Sequence, residues 1–300
     1  MEVIVIGAGA VGMLVASFLS KIHNVTLVTR RPEQAEAFNR EGLKRINLDG
    51  TIEHSMVRGL TALPSIQEDT MIIVAVKYGQ LKTIYPQLSL LPENTPLLFL
   101  QNGLAHFDEV LSLSHKNIAF GSCQFGAQKQ DDYTVIHRGF GALKIAIERG
   151  NKELYTVLKA EDKSDFQLEF APNAEQMLFE KALLNCFVNP LTALLKVKNG
   201  YLIQHQTTLH LLEQLFVELK SVFSEEMEKF NFEDVISLCE KTASNTSSML
   251  SDVLNDRQTE IDTIALAMIK KAHKRGKNLP TLSTLYYLIK ATEEKRVEKM

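Results

Sequence analysis

Apolar residues in the first half of the chain form short, β-branched runs separated by more polar, amphipathic segments. The runs occupy residues 2–6, 25–29, 71–76, 96–100 and 117–122, and each is typical of a buried strand. The segments that follow the first two runs have the composition of helices. Strands that alternate with helices predict a mainly parallel, doubly wound α/β sheet.

Other features of this half predict β-structure of a different kind. Asp49-Gly50 separates two strand-like runs and is a signal for a hairpin turn. Two further β-rich runs, residues 133–137 and 143–147, indicate that strands continue to about residue 150. We therefore expect residues 1–170 to form one α/β domain.

The pattern changes near residue 174, where helical periodicity replaces strand signals. Asn173, with Gln176 three residues later, predicts a capping box at the start of the first long helix. Towards the end of the chain, apolar residues recur with the spacing of one helix that ends at Gly276, namely Ile261, Ile264, Ala265, Met268, Ile269 and Ala272. Residues 171–300 are therefore predicted to form a second, all-α domain.

Composition narrows the class of protein. The chain has 300 residues, 45% of them hydrophobic and 23% charged, as in a globular protein with a core. Its net charge of -3 gives no basic excess for binding nucleic acid. The three cysteines, Cys123, Cys186 and Cys239, are odd in number and lie far apart in sequence, the pattern of neither a disulfide framework nor a zinc site. Without a signal-peptide pattern or an apolar run of roughly 20 residues, we expect a reduced, cytoplasmic protein with no membrane span.

A glycine-rich stretch directly after the first strand predicts dinucleotide binding. Gly7, Gly9 and Gly12 match G-x-G-x-x-G and are interleaved with Ala8, Ala10 and Val11. In this motif the first glycine makes the turn, the second lets backbone approach a pyrophosphate, and the third allows close helix–strand packing. The helix that opens here adds N–H groups and a positive dipole end. The structural alternative is a merely tight turn.

Two arginines end the second strand region and indicate the type of nucleotide. NAD-binding sites keep an acidic residue about 20 positions after the glycines, where it holds the ribose 2′-hydroxyl. This chain has Arg30 and Arg31 in that neighbourhood. An arginine favours a 2′-phosphate, so the pattern predicts NADPH, with Arg30 the better candidate because it directly follows the predicted strand. The alternative is a pair of solvated surface arginines.

Polar loops also follow two later strands, at the sheet edge where ligands bind in open α/β folds. Lys77 and Gln80 follow the third predicted strand, and Asn102-Gly103 follows the fourth. Asn-Gly is also a common turn dipeptide, so an ordinary loop explains either one alone.

A polar stripe lies on the otherwise apolar segment 180–191. Lys181, Asn185 and Asn189 recur every four residues and share one helix face. Reduction of a ketone builds negative charge on its oxygen, which requires a positioned donor. A partly buried lysine can be that donor, and the two amides can bind a polar substrate without adding charge. The alternative is a polar contact between domains.

Residues 245–262 form a second polar landmark, which offers Asn245, Ser247, Ser248, Arg257 and Glu260. A structural role is open for two of them. Ser248 is placed to cap a helix. If Thr259 caps the next helix, Glu260 falls in a first turn, where acidic residues are favoured in any case.

Together these motifs resemble the ketopantoate reductase, or 2-dehydropantoate 2-reductase, family along essentially the whole chain. The resemblance rests on "GAGAVG", "VKYGQ", "QNG", "KALLNCFVNPLTALL", "KNG" and "SSML" followed by "RQTEID", in that order. It implies a Rossmann domain followed by a helical domain of the 6-phosphogluconate dehydrogenase type. The implied reaction is reduction of ketopantoate to pantoate by NADPH, a step of pantothenate biosynthesis.

The resemblance also implies roles for individual residues. Lys181 corresponds to the general acid, and Glu260 to the acid that contacts the substrate hydroxyl and supports the lysine. Positions that contact the substrate in the family correspond to Asn102, Asn185, Asn189, Asn199, Asn245 and Ser248. Positions at or near the cofactor correspond to Arg30, Lys77, Gln80, Asn102 and Ala127.

Three other interpretations remain open from sequence alone. A related NADPH-dependent reductase of another 2-keto acid would carry the same motifs. A non-catalytic dinucleotide-sensing protein would need the glycines and Arg30 but not Lys181 with Glu260. An interaction protein with a helical dimerisation unit would not need the polar stripe. A homodimer is compatible with the sequence, which does not fix the oligomeric state.

Overall fold

A computed structural model describes residues 1–159 and 166–297 of the chain. The chain divides into two compact units, and each is described by itself. Unit 1 comprises Met1–Gln101 and Asp108–Met177, and unit 2 comprises Asn102–Phe107 and Leu178–Met300. The short segment Asn102–Phe107 therefore belongs by its contacts to the helical unit, although it lies within the sequence of the α/β half.

All of the strands that the described residues form lie in unit 1. They are β1 (Glu2–Ile6), β2 (Asn24–Val28), β3 (Leu43–Ile46), β4 (Ile52–Ser55), β5 (Arg58–Leu60), β6 (Thr70–Val74), β7 (Leu97–Phe99), β8 (Ile118–Cys123), β9 (Gly126–Lys129), β10 (Thr134–Gly139), β11 (Ala142–Arg149) and β12 (Gln167–Ala171). The five strands expected from the apolar runs are all present, and no end is shifted by more than two residues.

The main sheet of unit 1 has eight strands in the order β12-β11-β8-β7-β6-β1-β2-β5. From β5 to β8 every neighbouring pair is parallel, while β11 runs antiparallel to β8 and pairs in parallel with β12. Counted along the chain, the parallel part has the strand order 3-2-1-4-5-6 of a dinucleotide-binding fold. This confirms the predicted doubly wound sheet.

A second sheet of four strands, in the order β4-β3-β10-β9, belongs to the same unit. Strands β3 and β4 form the hairpin predicted at Asp49-Gly50. Gly50 has a φ of 82°, a conformation that glycine adopts without strain, and the Asp49 carboxylate accepts from the Thr51 N–H at 2.9 Å.

The helices of the described residues are α1 (Ala10–Leu19), α2 (Pro32–Glu41), α3 (Tyr78–Leu88), α4 (Phe107–Leu111), α5 (Glu153–Thr156), α6 (Ala174–Leu195), α7 (Tyr201–Gln204), α8 (Gln206–Val222), α9 (Phe232–Lys241), α10 (Ser248–Leu254), α11 (Ala267–Lys274) and α12 (Pro280–Val297). The helices of unit 2 enclose one apolar core. Its fully buried side chains include Phe187, Leu212, Leu215, Phe223, Met268 and Leu282. The predicted helical character of the second half is confirmed.

One helix prediction is wrong in detail. The segment expected to be one helix from residue 261 onward begins with a π-helical turn, Asp262–Leu266, before α11. A π-turn holds more residues than an α-helical turn, and such turns often lie at functional sites. The apolar residues of the pattern, including Ile261, Ile264 and Met268, are nevertheless all buried.

Helix α6 combines an apolar composition with a position in the protein interior. Among the described residues it is the one helix long and apolar enough to cross a membrane by length and composition, and 67% of its apolar window is buried inside the protein. Its start agrees with the predicted cap, since the Asn173 side chain accepts from the Gln176 N–H at 2.7 Å. Extensive burial by protein is what a core helix shows.

Candidate active site

The glycine-rich loop of unit 1 connects β1 to α1 and leaves no room for side chains at two of its glycines. Gly7 has a φ of 110°, and a Cβ there would lie 2.8 Å from the backbone of Ala75. A Cβ on Gly12 would lie 1.9 Å from the carbonyl oxygen of Gly7. The turn and the close packing predicted for these glycines therefore follow from sterics.

Gly9 differs, because a Cβ there would meet nothing within 4 Å. Gly9 is the N-cap of α1 and has no side chain with which to cap the helix. The exposed backbone at Gly9 thus borders open space at a helix N-terminus, where N–H groups and the helix dipole favour an anion. The loop has the form that a dinucleotide pyrophosphate requires.

Gln34, on α2, braces this loop, and the sequence analysis missed it. Its buried amide nitrogen donates to the carbonyl oxygens of Ala8 and Asp132, each at 3.0 Å, and its amide oxygen accepts from the Thr29 hydroxyl at 2.8 Å. Thr29 precedes Arg30. One side chain therefore ties the glycine-rich loop to the end of β2, and the contacts that do this are too distant in sequence to form a motif.

Arg30 lies exposed after β2, and Gln80 on α3 holds its guanidinium. With the Gln80 carboxamide oriented so that its oxygen faces Arg30, that oxygen accepts from the two terminal nitrogens at 3.0 and 3.2 Å. Lys77, at the N-cap of the same helix, is also exposed. Three residues expected near the cofactor therefore lie in unit 1 at or beyond the carboxyl ends of β2 and β6.

Arg31 has a different environment from its neighbour. Its guanidinium forms an ion pair with the carboxylate of Asp132, which Lys129 also contacts at 3.0 Å. Burial opposes ionisation of Asp132, but Lys129 and Arg31 outweigh it and lower the pKa of the carboxyl. The hydrogen bond and charge of Asp132 in turn raise the pKa of Arg31. Arg31 is thus paired with a carboxylate, whereas Arg30 is exposed and contacts the neutral carboxamide of Gln80.

Ala127 lies on β9, paired with His137 of β10, and packs against the core of unit 1. Its side chain therefore contributes to the fold, and its expected place near the cofactor stays a prediction. Gln101, which the sequence analysis did not single out, is buried. Its amide nitrogen donates to the carbonyl oxygens of Val74 and Val76, each at 2.9 Å, and so fixes the chain just before Asn102.

Unit 2 brings together two residues that are 158 positions apart in sequence. The Asn102 amide donates to a carboxylate oxygen of Glu260 at 2.9 Å. Next to this bond, the Leu104 N–H donates to the carbonyl oxygen of Thr263, in the π-helical turn, at 3.1 Å. Gly103 has a φ of 84°, and a Cβ there would lie 2.1 Å from the same Thr263 oxygen. Only glycine allows this docking of the loop on the turn.

The polar stripe predicted on α6 lies on one continuous helix. Lys181 and Asn185 are partly buried and Asn189 is buried, all within Ala174–Leu195. The Asn189 amide donates to the hydroxyl of Ser248, at the start of α10, at 3.4 Å. The stripe and the second polar landmark therefore meet within unit 2.

The alternative role of Ser248 as a helix cap is wrong, because Ser247 is the N-cap of α10. The Ser247 hydroxyl accepts from the Leu250 N–H at 3.1 Å and lies 2.7 Å from the Thr192 hydroxyl. Ser247 is buried, whereas Ser248 is exposed. Since its neighbour performs the capping, the Ser248 hydroxyl can serve a ligand.

Asn199 and Asn245 lie beside each other on two loops of unit 2. The Asn199 N–H donates to the Asn245 carbonyl oxygen at 3.2 Å, and the Asn199 amide donates to the Thr242 hydroxyl at 2.9 Å. The Asn199 side-chain oxygen is buried and accepts no hydrogen bond from the described residues. Asn245 itself is exposed. Asn199 is therefore a brace for the Asn245 loop, and contact of either residue with substrate stays a prediction.

The predicted site residues that lie in unit 2 thus comprise one ammonium, one carboxylate, several amides and a hydroxyl, the groups expected for binding a small polar acid. Two pairs of predicted site residues are hydrogen-bonded directly: Asn102 with Glu260, and Asn189 with Ser248. Thr259 does not act simply as a helix cap, because its hydroxyl, which accepts from the Ile261 N–H at 3.3 Å, also donates to Glu293 at 2.7 Å.

Comparison with known proteins gives a consistent assignment. Residues 3–149 match the family described as "Ketopantoate reductase PanE/ApbA", and residues 173–293 match "Ketopantoate reductase PanE/ApbA C terminal". A 2-dehydropantoate 2-reductase of Listeria monocytogenes is 39% identical over 98% of this chain and 97% of its own length.

Solved structures agree in fold. A crystal structure of a probable 2-dehydropantoate 2-reductase from Bacillus subtilis has a TM-score of 0.86 and 34% identity, over 98% of this chain and 100% of its own. D-mandelate dehydrogenase with NADH and anilino(oxo)acetate, at 24% identity over 98% of this chain and 99% of its own, shares the fold with a TM-score of 0.85. The matches to both parts of the family and the near-complete coverage by its relatives show that the chain belongs to the ketopantoate reductase family.

Proposed function

We propose that the protein is an oxidoreductase that reduces ketopantoate to pantoate with NADPH, a step of pantothenate biosynthesis in the cytoplasm. In this proposal residues 1–170 bind NADPH, and the helical domain of residues 171–300, together with Asn102, binds the keto acid. Family membership supports the reaction class. The surroundings of the individual residues support the cofactor preference, their roles and the mechanism.

One observation carries the proposal, the 2.9 Å hydrogen bond from Asn102 to Glu260. It joins the loop after β7 to the helical segment that the family resemblance identifies as catalytic. A structural role for Glu260 in stabilising its own helix does not require a partner so distant in sequence. A carboxylate held by an amide is instead suited to keep one oxygen oriented towards a ligand.

Lys181 is the proposed general acid. When bound, NADPH supplies a hydride to the C2 carbonyl carbon, and the carbonyl oxygen then needs a proton. The Lys181 ammonium, partly buried on α6, donates that proton to the oxygen and becomes a neutral amine, which regains a proton from solvent. The nicotinamide provides no proton, so the balance of the reaction requires such a donor.

The neighbouring polar residues bind and orient the substrate. Glu260, oriented by Asn102, accepts from the substrate hydroxyl and supports the charge of Lys181. The amides of Asn185 and Asn189 and the hydroxyl of Ser248 donate to the substrate carboxylate without placing a second full charge beside it. Asn199 and Asn245 complete this set of proposed contacts.

Preference for NADPH follows from the surroundings of the two arginines. Arg30, braced by Gln80, can bind a 2′-phosphate with a bidentate hydrogen bond, whereas Arg31 is already paired with Asp132. Arg30 follows β2, the place where NAD-dependent proteins of this fold keep an acidic residue. Lys77 and Ala127 are proposed to lie along the remainder of the cofactor.

A spectrophotometric assay of NADPH oxidation tests the function. The purified protein should oxidise NADPH with ketopantoate faster than with other 2-keto acids of a panel, and faster than it oxidises NADH. Because D-mandelate dehydrogenase shares the fold and was solved with NADH, the panel should include aromatic 2-keto acids and both cofactors. Faster turnover of another keto acid would support the alternative of a related reductase. No oxidation with any keto acid would favour a non-catalytic, nucleotide-sensing protein.

A further inference from the structure

We propose that Glu293, on the C-terminal helix α12, is a positioning residue that sets the orientation of Glu260. The inference rests on the proposed function, because it assumes that Glu260 acts on the substrate. No motif noted in the sequence includes Glu293, which lies 34 positions from the residue it contacts. Thr259, Glu260 and Glu293 all lie within unit 2.

Glu293 holds the backbone immediately before Glu260. One of its carboxylate oxygens accepts two hydrogen bonds from Thr259, from the N–H at 2.8 Å and from the hydroxyl at 2.7 Å. The Glu293 side chain is only 12% exposed, and Thr259 is buried. Hydrogen bonds to an ionised carboxylate are stronger than neutral ones, and they are weakened least where water is excluded.

The same contact extends to the other side of Glu260. The Thr259 hydroxyl, which donates to Glu293, accepts in turn from the Ile261 N–H at 3.3 Å. Glu293 therefore constrains the residues on both sides of Glu260 through one threonine. Since the rotamers available to a side chain depend on its backbone angles, fixing this backbone limits the directions in which the Glu260 carboxylate can point.

Two further residues of α12 reinforce the arrangement. Lys290 lies 3.2 Å from both Glu293 and Asp262, and the Tyr286 hydroxyl donates to Asp262 at 2.9 Å. Burial would lower the pKa of Lys290, but its hydrogen bonds to Glu293 and Asp262 outweigh burial and raise it. Tyr286, Lys290 and Glu293 have the i, i+4, i+7 spacing of one helix face. That face of α12 therefore contacts the chain on both sides of Glu260, at Thr259 and at Asp262.

Glu260 is thus fixed from two directions, its backbone by α12 and its carboxylate by Asn102. Loss of the Glu293 carboxylate leaves the Thr259 N–H and hydroxyl without this acceptor in a buried place. The backbone must then shift to find another acceptor or water. Even a displacement of about 1 Å at a catalytic group costs as much as roughly 100-fold in rate.

A purely structural role for Glu293, as an anchor that keeps α12 folded, makes a different prediction. An anchor affects all activities of unit 2 and the resistance to unfolding, whether or not Glu260 is present. A positioning residue acts through Glu260 and has little further effect once Glu260 is removed. A double-mutant cycle between the two residues therefore distinguishes the two roles.

The experiment measures kcat and KM for the best keto acid of the panel in wild type and four variants. Glu293→Ala should lower kcat roughly 10- to 100-fold and leave the KM for NADPH unchanged. Glu293→Gln keeps an amide oxygen that can accept from Thr259, so its kcat should stay within about threefold of wild type. Glu294→Ala, an exposed neighbour on the same helix with the same change in charge, is the matched control and should resemble wild type. Thr259→Val, which removes only the hydroxyl, should lower kcat less than Glu293→Ala does.

The decisive comparison adds Glu293→Ala to Glu260→Ala. The inference requires that Glu293→Ala change kcat by less than about threefold when Glu260 is already replaced by alanine. An equal loss in both backgrounds, or a wild-type kcat in Glu293→Ala, would overturn it. If Glu293→Ala does not fold, the same comparison is made with Thr259→Val in the presence and absence of Glu260→Ala.

A crystal structure of Glu293→Ala separates this inference from the proposed function. If the wild-type protein reduced no 2-keto acid, the proposed function would fail, yet the structure would still decide the positioning role. Loss of the hydrogen bond between Asn102 and Glu260 in the variant would support that role. A bond kept at its present 2.9 Å would overturn it.

Discussion

Acid should destabilise unit 2 through His106, a residue of the same Asn102–Phe107 segment that supplies the Asn102 amide to Glu260. The His106 side chain is 0% exposed. Burial disfavours the charged imidazolium and lowers the pKa of His106 to about 3. The imidazole is therefore neutral in the folded protein at every pH at which the enzyme is expected to work.

The sign and size of the effect follow from linkage. The ordinary pKa of histidine is about 6.5, so below that pH the unfolded chain binds a proton that the folded protein does not. The free energy of unfolding is therefore undiminished by His106 above about pH 6.5, and it decreases as the pH falls towards 3. At about pH 5, roughly 1.5 pH units below the unfolded pKa, the loss is about 2 kcal/mol, since each unit corresponds to about 1.4 kcal/mol.

Urea unfolding near pH 7.5 and near pH 5 measures this contribution as a difference between variants. His106→Gln removes the titrating group and keeps a neutral polar side chain. Between the two pH values the wild type should lose about 2 kcal/mol more stability than this variant does. Burial also lowers the pKa of His115. This residue is present in both proteins, so its contribution to the difference cancels. His54→Gln, at an exposed histidine, is the control for the substitution.

The comparison can refute the reasoning directly. If wild type and His106→Gln lose equal stability between the two pH values, His106 is not a neutral buried group in the folded protein. A larger loss in His106→Gln would mean that the folded protein binds the proton more tightly than the unfolded chain. Either result would show that the imidazole has access to water or to a negative charge.

Three further predictions concern the proposed site. Lys181→Ala should lower kcat for ketopantoate roughly 10²- to 10⁴-fold, with NADPH binding and thermal unfolding little changed; a wild-type kcat would exclude Lys181 as the proton donor. Arg30→Ala should lower kcat/KM with NADPH roughly 10- to 100-fold and leave NADH nearly unaffected, whereas Arg31→Ala, the matched control, should keep the preference. Ser248→Ala should raise the KM for the keto acid roughly tenfold at unchanged KM for NADPH; equal weakening of both ligands would place Ser248 outside the keto-acid site.

The fold was largely predictable because its signals are local. Buried parallel strands are continuous apolar runs, and the glycine-rich turn is dictated by backbone sterics at Gly7 and Gly12. The hairpin at Asp49-Gly50 likewise requires a residue that tolerates positive φ. Such features depend on neighbours in sequence, and a single chain displays them directly.

The contacts that orient the residues of the proposed site were not predictable in the same way. Arg31 and Asp132, which form an ion pair, are 101 positions apart in sequence, and Glu293 and Thr259, which are hydrogen-bonded, are 34 apart. Charged and polar residues at such distances show no periodicity that marks them as partners. The π-helical turn was also hidden, because Ile261, Ile264 and Met268 are buried much as they would be in an ordinary helix. Apolar spacing reports which residues are buried and says little about the hydrogen bonding of the backbone.

Asn102-Gly103 shows why a turn motif and a functional motif need not be alternatives. The positive φ of Gly103 satisfies the local turn, and its missing side chain admits the Thr263 carbonyl oxygen, which a Cβ would approach to 2.1 Å. That close approach lets the Leu104 N–H reach the same oxygen and keeps the Asn102 amide on Glu260. The same glycine is therefore required twice, once by the local turn and once by a contact distant in sequence. Because both requirements select one residue type, sequence alone could not separate them, whereas the geometry shows that the turn is what brings the Asn102 amide to Glu260.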